Sequence, residues 1–182
     1  MRLFVSATVA PLSDAIADIQ APLRGLDGLR PTDPQQAHIT MKFLGAGDHD
    51  TDALAAAIET AVADADTGPF EVSLEGVGVF PSLEYISVVW LGVGGGSREL
   101  TRLHEQLEAE TTALGYDAES HEFTPHVTLA RMDNAASKAE VQEFVQTADP
   151  DAGRVRLEEL RLTESTLTPD GPEYETRRRF EL

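Results

Sequence analysis

Cysteine is absent from this 182-residue chain, which removes disulfides, thiolate nucleophiles and zinc–thiolate sites together. Lysine is nearly absent: Lys42 and Lys138 are the only two, and arginine supplies the rest of the 14 basic residues against 32 acidic ones. The formal net charge of −18 argues against the basic face from which a nucleic-acid binder draws most of its affinity. Extensive duplex binding is therefore not expected, while recognition of a single terminal phosphate in a local pocket stays open. An acidic surface with scarce lysine suits a high-salt cytoplasm, where self-repulsion is screened over about 3 Å at 1 M salt. The alternative is a solubilising acidic surface in an ordinary cell. No apolar run approaches the ~20 residues of a membrane helix. The apolar opening Met1–Ala10 alternates like a strand and reaches Asp14 without a signal-peptide cleavage pattern, so a cytoplasmic location is expected.

What the chain does have is a short pattern that occurs twice, His38-Ile39-Thr40-Met41 and His126-Val127-Thr128-Leu129, each in a segment that reads as a β-strand. Successive strand side chains alternate faces, so His and Thr of each copy point one way while Ile39 and Val127 point to a core. Two such strands side by side offer two imidazoles as general acid and base and two hydroxyls to hold an anion. That is a kit for phosphoester chemistry without a metal or other cofactor. The bare pattern is short, with about half a match expected by chance in a chain like this; its duplication in matching surroundings carries the argument. Thr is common in strands in any case, but pairing with His favours a phosphate-holding role for Thr40 and Thr128. Lys42 shares the parity of His38 and Thr40 and is expected to face the same cleft, unless it snorkels to solvent at the strand end.

The two halves of the chain echo each other. The first reads as a strand over Leu3–Val9, a helix over Ser13–Leu23 with Ser13 as its cap, the strand His38–Leu44, a helix capped by Asp50 or Thr51, and a strand over Phe70–Val79. The second reads as a strand over Tyr85–Val93, a helix capped by Ser97 and stopped by Gly115, the strand His126–Arg131, a helix over Ser137–Thr147 and a strand over Arg154–Ser165. Tyr174–Leu182 adds another strand. Both halves are β-α-β-α-β with the histidine on the middle strand, which implies internal duplication. The expected architecture is α+β: two pseudo-symmetric lobes in one domain over residues 1–182, mostly antiparallel sheets lining a central cleft, helices outside.

The extended motifs His38-Ile39-Thr40-Met41-Lys42-Phe43-Leu44-Gly45 and Phe123-Thr124-Pro125-His126-Val127-Thr128-Leu129-Ala130-Arg131 resemble the two HxTx signatures of the two-histidine (2H) phosphoesterases. Within that group they resemble the LigT/ThpR family of RNA 2′,3′-cyclic phosphodiesterases, also called 2′-5′ RNA ligases. The likeness extends to Leu3-Phe4-Val5, Val88-Val89-Trp90-Leu91-Gly92, Glu164-Ser165 and Gly171-Pro172-x-Tyr174; with the acidic composition it suggests a haloarchaeal-type member. It implies the bilobal LigT-like fold and metal-independent hydrolysis of RNA 2′,3′-cyclic phosphate ends to 2′-phosphate, with RNA termini as partners. The sequence does not encode an oligomeric state, and a monomer is the expectation. By the same resemblance His38 matches the proton donor and His126 the acceptor, whose order sequence alone leaves open. Arg131 matches an arginine that contacts substrate, although strict alternation turns it away from His126 unless the strand ends or bulges at Ala130. The alternatives are 2′-5′ RNA ligation, a small cyclic phosphate of the ADP-ribose type, or a non-catalytic module that binds RNA ends.

Other features read as structural. Phe123 suits core packing better than base stacking, and His49 suits a helix-capping loop better than a metal. His104 reads as a boundary residue on a helix, and His121 carries no assigned role. Gly92-Val93-Gly94-Gly95-Gly96-Ser97 lacks the third glycine of GxGxxG and the lysine of a P-loop. Alternation splits the side chains of Arg177-Arg178-Arg179 between two faces, where acidic neighbours can pair with them.

Overall fold

The computed structural model describes every residue from Met1 to Leu182. Strand β1 (Arg2–Thr8) is buried on both faces and runs antiparallel to β3 (His38–Ala46). Helix α1 (Ser13–Gln20) and the short strand β2 (Leu29–Pro31) lie between them in the chain. Asp50 caps α2 (Thr51–Ala65), its Oδ1 accepting the Ala53 N–H at 3.0 Å. Strands β4 (Phe70–Pro81) and β5 (Ile86–Val93) form a hairpin. Helix α3 (Ser97–Ala113), strand β6 (His126–Met132), helix α4 (Lys138–Thr147) and strands β7 (Asp151–Leu157), β8 (Glu159–Thr168) and β9 (Gly171–Glu181) complete the chain.

All pairings are antiparallel, and the strands form one curled sheet in the order β7-β4-β5-β6-β3-β1-β8-β9, with β2 added beside β6. The sheet therefore has two wings, β7-β4-β5-β6 and β3-β1-β8-β9, joined where β3 meets β6. These wings are not the two halves of the chain. Strand β4, from the first half, pairs with β5 and β7, while β8 and β9, from the second, pair with each other and with β1. The helices exchange in the same way: α3 packs with α2 and against β3, whereas α1 packs against β6 and β7. The repeat read from the sequence is thus present in order but interleaved in space, because the short β4–β5 turn keeps β4 beside the next strand instead of returning it to its own half. One cluster of buried apolar side chains, including Val5, Ile39, Leu54, Leu91, Leu103, Val127 and Leu160, runs beneath the whole sheet.

Three local expectations change. The segment Arg154–Ser165 is two strands, with Glu158 between them. Ser13 and Ser97 are the first residues of their helices, not the caps. Gly96 occupies the cap of α3 at φ +89°, where an added Cβ would lie 2.4 Å from Val72 Cγ1 and 2.7 Å from Glu71 O. Ser97 instead donates its hydroxyl to the carbonyls of Val93 and Gly94. No helix is long and apolar enough to cross a membrane.

Candidate active site

The wings meet through one bridge, Ile39 opposite Val127. An antiparallel pair centred on those residues sets His38 across from Thr128 and Thr40 across from His126. The middle residues of both His-x-Thr motifs are buried, at 0% and 1% exposure, so both histidines and both threonines occupy the opposite face. A pseudo-twofold axis runs through the bridge, and the four chemical groups alternate around it.

The two imidazoles are fixed alike. His38 Nδ1 lies 2.9 Å from Gln36 O and His126 Nδ1 lies 2.7 Å from Thr124 O. A carbonyl only accepts, so each Nδ1 carries the hydrogen and each Nε2 is left for chemistry. Each ring is also walled by aromatics. Tyr174 stands edge-on to His38 at 5.2 Å and 90°, with Phe4 at 5.1 Å. Phe80 stands edge-on to His126 at 5.0 Å and 81°, with Trp90 at 6.0 Å. Burial holds both imidazoles below the ordinary 6.5, and the nearby Arg131 guanidinium pushes each in the same direction; the carbonyl bonds work against the shift. His126 adds a further downward push on His38. Both shifts favour the neutral ring in the free site, whereas the ordinary histidine value alone would place a mixed state near neutrality.

The hydroxyls of Thr40 and Thr128 make no hydrogen bond to the protein, unlike that of neighbouring Thr32, which donates to Thr128 O at 2.8 Å. They are open donors on the cleft face. Arg131 is likewise without an ion-pair partner in a chain where eight other cations pair with carboxylates. It reaches the cleft because β6 bulges: Val89 pairs with Ala130 but Trp90 pairs with Thr128, leaving Leu129 as the extra residue and restoring Arg131 to the His126 face. Burial raises the Tyr174 hydroxyl above its usual range, opposed by the charge of Arg131.

The same irregularity in β3 corrects the expectation for Lys42. Val5 pairs with Lys42 and Ser6 with Thr40, so Met41 is the extra residue and every side chain after it changes face. Lys42 turns into the interior at 1% exposure, donating to Glu108 Oε1 at 2.5 Å and Asp117 O at 2.6 Å. It does not line the cleft, and its charge is consumed by Glu108. Burial works to raise that carboxyl, but Lys42 and the Glu119 N–H outweigh it and hold it below the usual range. The place that parity assigned to Lys42 belongs to Phe43, 62% exposed beside Phe4 at 6.4 Å. Counting from each histidine, Phe43 is the counterpart of Arg131.

The remaining candidates lie elsewhere. Phe123 is partly buried and stacked on His104 at 4.1 Å, consistent with packing. His49 bonds Tyr116 Oη at 2.9 Å and faces the carbonyls of Met1 and Gly45, each at 3.2 Å. No group of three or more His, Cys, Asp or Glu is arranged to hold a metal ion. Arg177, Arg178 and Arg179 pair with Glu164 and Glu175, Asp52, and Glu159 respectively.

A family model described as the 2′-5′ RNA ligase superfamily matches residues 9–168. The chain belongs to that superfamily. Among its members, the chain is 36% identical to the RNA 2′,3′-cyclic phosphodiesterase of Aeropyrum pernix, over 92% of this chain and 91% of the relative. It is 33% identical to the protein of the same name from Archaeoglobus fulgidus over the full length of both. This member of the 2′-5′ RNA ligase superfamily thus groups with hydrolases of RNA cyclic phosphates. Its fold is the LigT-like α+β half-barrel. Over the whole chain it superposes on TT0787 of Thermus thermophilus with a TM-score of 0.81 at 27% identity, covering 98% of that chain. Escherichia coli LigT complexed with 3′-AMP gives the same TM-score at 24% identity, covering 97% of that chain.

Sequence reasoning assigned no role to Phe4, Phe43, Phe80, Trp90 or Tyr174, although they are five of only eleven aromatic residues. Phe4 and Tyr174 wall His38, Phe80 and Trp90 wall His126, and Phe43 sits beside Phe4; only the strand pairing brings them together, so nothing local in the sequence marks them.

Proposed function

We propose that this protein hydrolyses RNA 2′,3′-cyclic phosphate ends to 2′-phosphates by metal-independent two-histidine catalysis. The single observation that carries the proposal is the presence, on one sheet face, of two imidazoles with identical carbonyl-fixed tautomers, two unpartnered threonine hydroxyls and an unpaired arginine. His126 Nε2 accepts a proton from water as the water oxygen attacks phosphorus. The P–O3′ bond breaks as His38 Nε2–H protonates the departing oxygen, leaving a 3′-hydroxyl and a 2′-phosphate. Thr40, Thr128 and Arg131 donate to the nonbridging oxygens, where charge accumulates.

The electrostatics support a substrate-assisted proton inventory. Both imidazoles are held below their ordinary value in the free site, which disfavours the protonated acid until a compensating charge is present. An arriving phosphate anion offsets Arg131 and favours one imidazolium. Phe43, exposed on the cleft side, is placed to stack on the base next to the phosphate. A net charge of −18 suits recognition confined to the RNA end. The naming of the superfamily for 2′-5′ RNA ligation supports a second reading in which the 5′-hydroxyl of another RNA takes the place of water as nucleophile and the same P–O3′ bond breaks, leaving a 2′-5′ linkage and a 3′-hydroxyl.

The test uses a short RNA ending in a 2′,3′-cyclic phosphate, incubated in high salt with excess chelator, with wild type, His38→Ala and His126→Ala compared. The expected result is chelator-resistant conversion to a 2′-phosphate, lost in both variants. A 3′-phosphate product, or turnover that survives in either folded variant, would overturn the proposal.

A further inference from the structure

The two catalytic imidazoles are supported differently behind their shared tautomer. The carbonyl that fixes His38 belongs to Gln36, in a 3-10 turn over Pro34–Gln36 that is closed by its own backbone bonds and capped by the Asp33 carboxylate. The carbonyl that fixes His126 belongs to Thr124, at the end of residues 117–125, which contain no helix or strand. No backbone–backbone hydrogen bond outside the regular elements involves any of those nine residues. Side chains hold the segment instead.

Three of its residues are held, and all three supports converge on the β3 bulge. Lys42 Nζ donates to Asp117 O at 2.6 Å and to Glu108 Oε1 at 2.5 Å. Glu108 Oε2 accepts the Glu119 N–H at 3.0 Å. One turn earlier on α3, buried His104 donates Nδ1–H to Met41 O at 2.8 Å and stacks on Phe123 at 4.1 Å and 8°. Met41 is the residue that the bulge leaves extra in the ladder with β1, which frees its carbonyl for His104. A buried ion pair is a poor stabilising device, since desolvation offsets most of its attraction; its observable yield here is the placement of a segment that lacks backbone bonds.

We infer that Lys42, Glu108 and His104 are positioning residues for His126: they brace residues 117–124 so that Thr124 O fixes the ring, and so tie the strand of the first motif to the base of the second. The inference rests on the reading of His126 as the proton acceptor. It also gives the buried Lys42 a function in catalysis that requires no contact with substrate.

The experiment uses Lys42→Met and Glu108→Gln in the full chain. Lys42→Met keeps the aliphatic stem and removes the ammonium with both of its hydrogen bonds. Glu108→Gln keeps an oxygen for Lys42 but turns an NH2 group toward the Glu119 N–H, releasing the segment while leaving the ammonium an acceptor. Nitrogen-15 spectra of the imidazoles report the tautomers directly, and steady-state kinetics on a 2′,3′-cyclic-phosphate RNA report catalysis. In the wild type both rings are Nδ1–H. In each variant His126 is expected to become a tautomer mixture while His38 is unchanged, and kcat falls about 10- to 100-fold with KM within about twofold, as for a misplaced catalytic group. If Lys42→Met does not fold, Glu108→Gln decides the matter. A folded variant in which His126 keeps its tautomer and kcat stays within twofold of wild type overturns the inference. Equal disorder of both rings also overturns it, since that is general loosening. Absence of turnover in the wild type would defeat the functional reading instead, and the spectra would still decide whether the brace orders His126.

Discussion

Replacing Thr40 or Thr128 with valine tests the site most directly, because both hydroxyls lack protein partners and valine keeps the β-branched shape. No internal hydrogen bond is lost, in contrast to Thr32, whose hydroxyl is tied to Thr128 O. Both positions are half-buried on strands, where valine is a good residue, so stability should change by no more than about 0.5 kcal/mol. The catalytic effect should be far larger. Removing one preorganised donor to developing negative charge costs about 100- to 1,000-fold in kcat; with Arg131 and the second threonine still present, the lower end, about 100-fold or ~2.7 kcal/mol, is expected. Pseudo-symmetry adds a sharper demand: the two single variants should lose comparable amounts, because each hydroxyl sits across the bridge from the other motif's histidine. The assay is steady-state turnover of a short RNA 2′,3′-cyclic phosphate, alongside a urea titration of each variant. Activity within twofold of wild type in both variants would refute the assignment. A large loss at one threonine and none at the other would refute the symmetric holding of the phosphate.

Arg131→Gln should move the pH optimum of kcat/KM upward, because the guanidinium charge helps to hold both imidazoles low and its removal lets each keep a proton to higher pH; a profile unchanged in position would show that Arg131 does not act on the pair. Phe43→Ala should raise KM for an RNA end by about fivefold or more, the lower bound of one stacked base, while leaving the melting temperature nearly unchanged because the ring is 62% exposed. Trp90 is the sole tryptophan and lies 6.0 Å from the His126 ring, so its emission should be quenched by imidazolium with a midpoint below the ordinary 6.5. That transition should vanish in His126→Ala, and its persistence there would assign it to another group. Thermal stability should rise with molar salt as the −18 charge is screened; equal stability at 50 mM salt would count against a high-salt adaptation.

The site was legible in the sequence as far as each motif is a regular strand. His38, Thr40, His126 and Thr128 fall where alternation places them, because Ile39 and Val127 are core residues that fix the register. Alternation then fails in both copies at the same distance from the histidine. Met41 and Leu129 are extra residues, and bulges follow from sheet curvature and neighbouring strands, which no local pattern encodes. That one slip carries Lys42 inside and brings Arg131 out. Strand β2 is too short, at Leu29–Pro31, to show any period. The exchange of β4 and β8 between wings was invisible for another reason: hydrophobic pattern reports that a strand is buried, not which strand lies beside it.

That exchange bears on how the molecule is made. The wing that carries His38 contains β1 and β3 from the start of the chain and β8 and β9 from its end. During synthesis the first histidine strand therefore waits for more than a hundred residues before its sheet can close, and the ring it bears acquires the edge of Tyr174 only when β9 has been added. Pairings so distant in sequence make for slow folding, with the rows of unpaired amides on β1 exposed meanwhile. A partly synthesised chain can hold both histidines and still have no cleft, so competence to open a cyclic phosphate arrives last, together with the closure of the sheet.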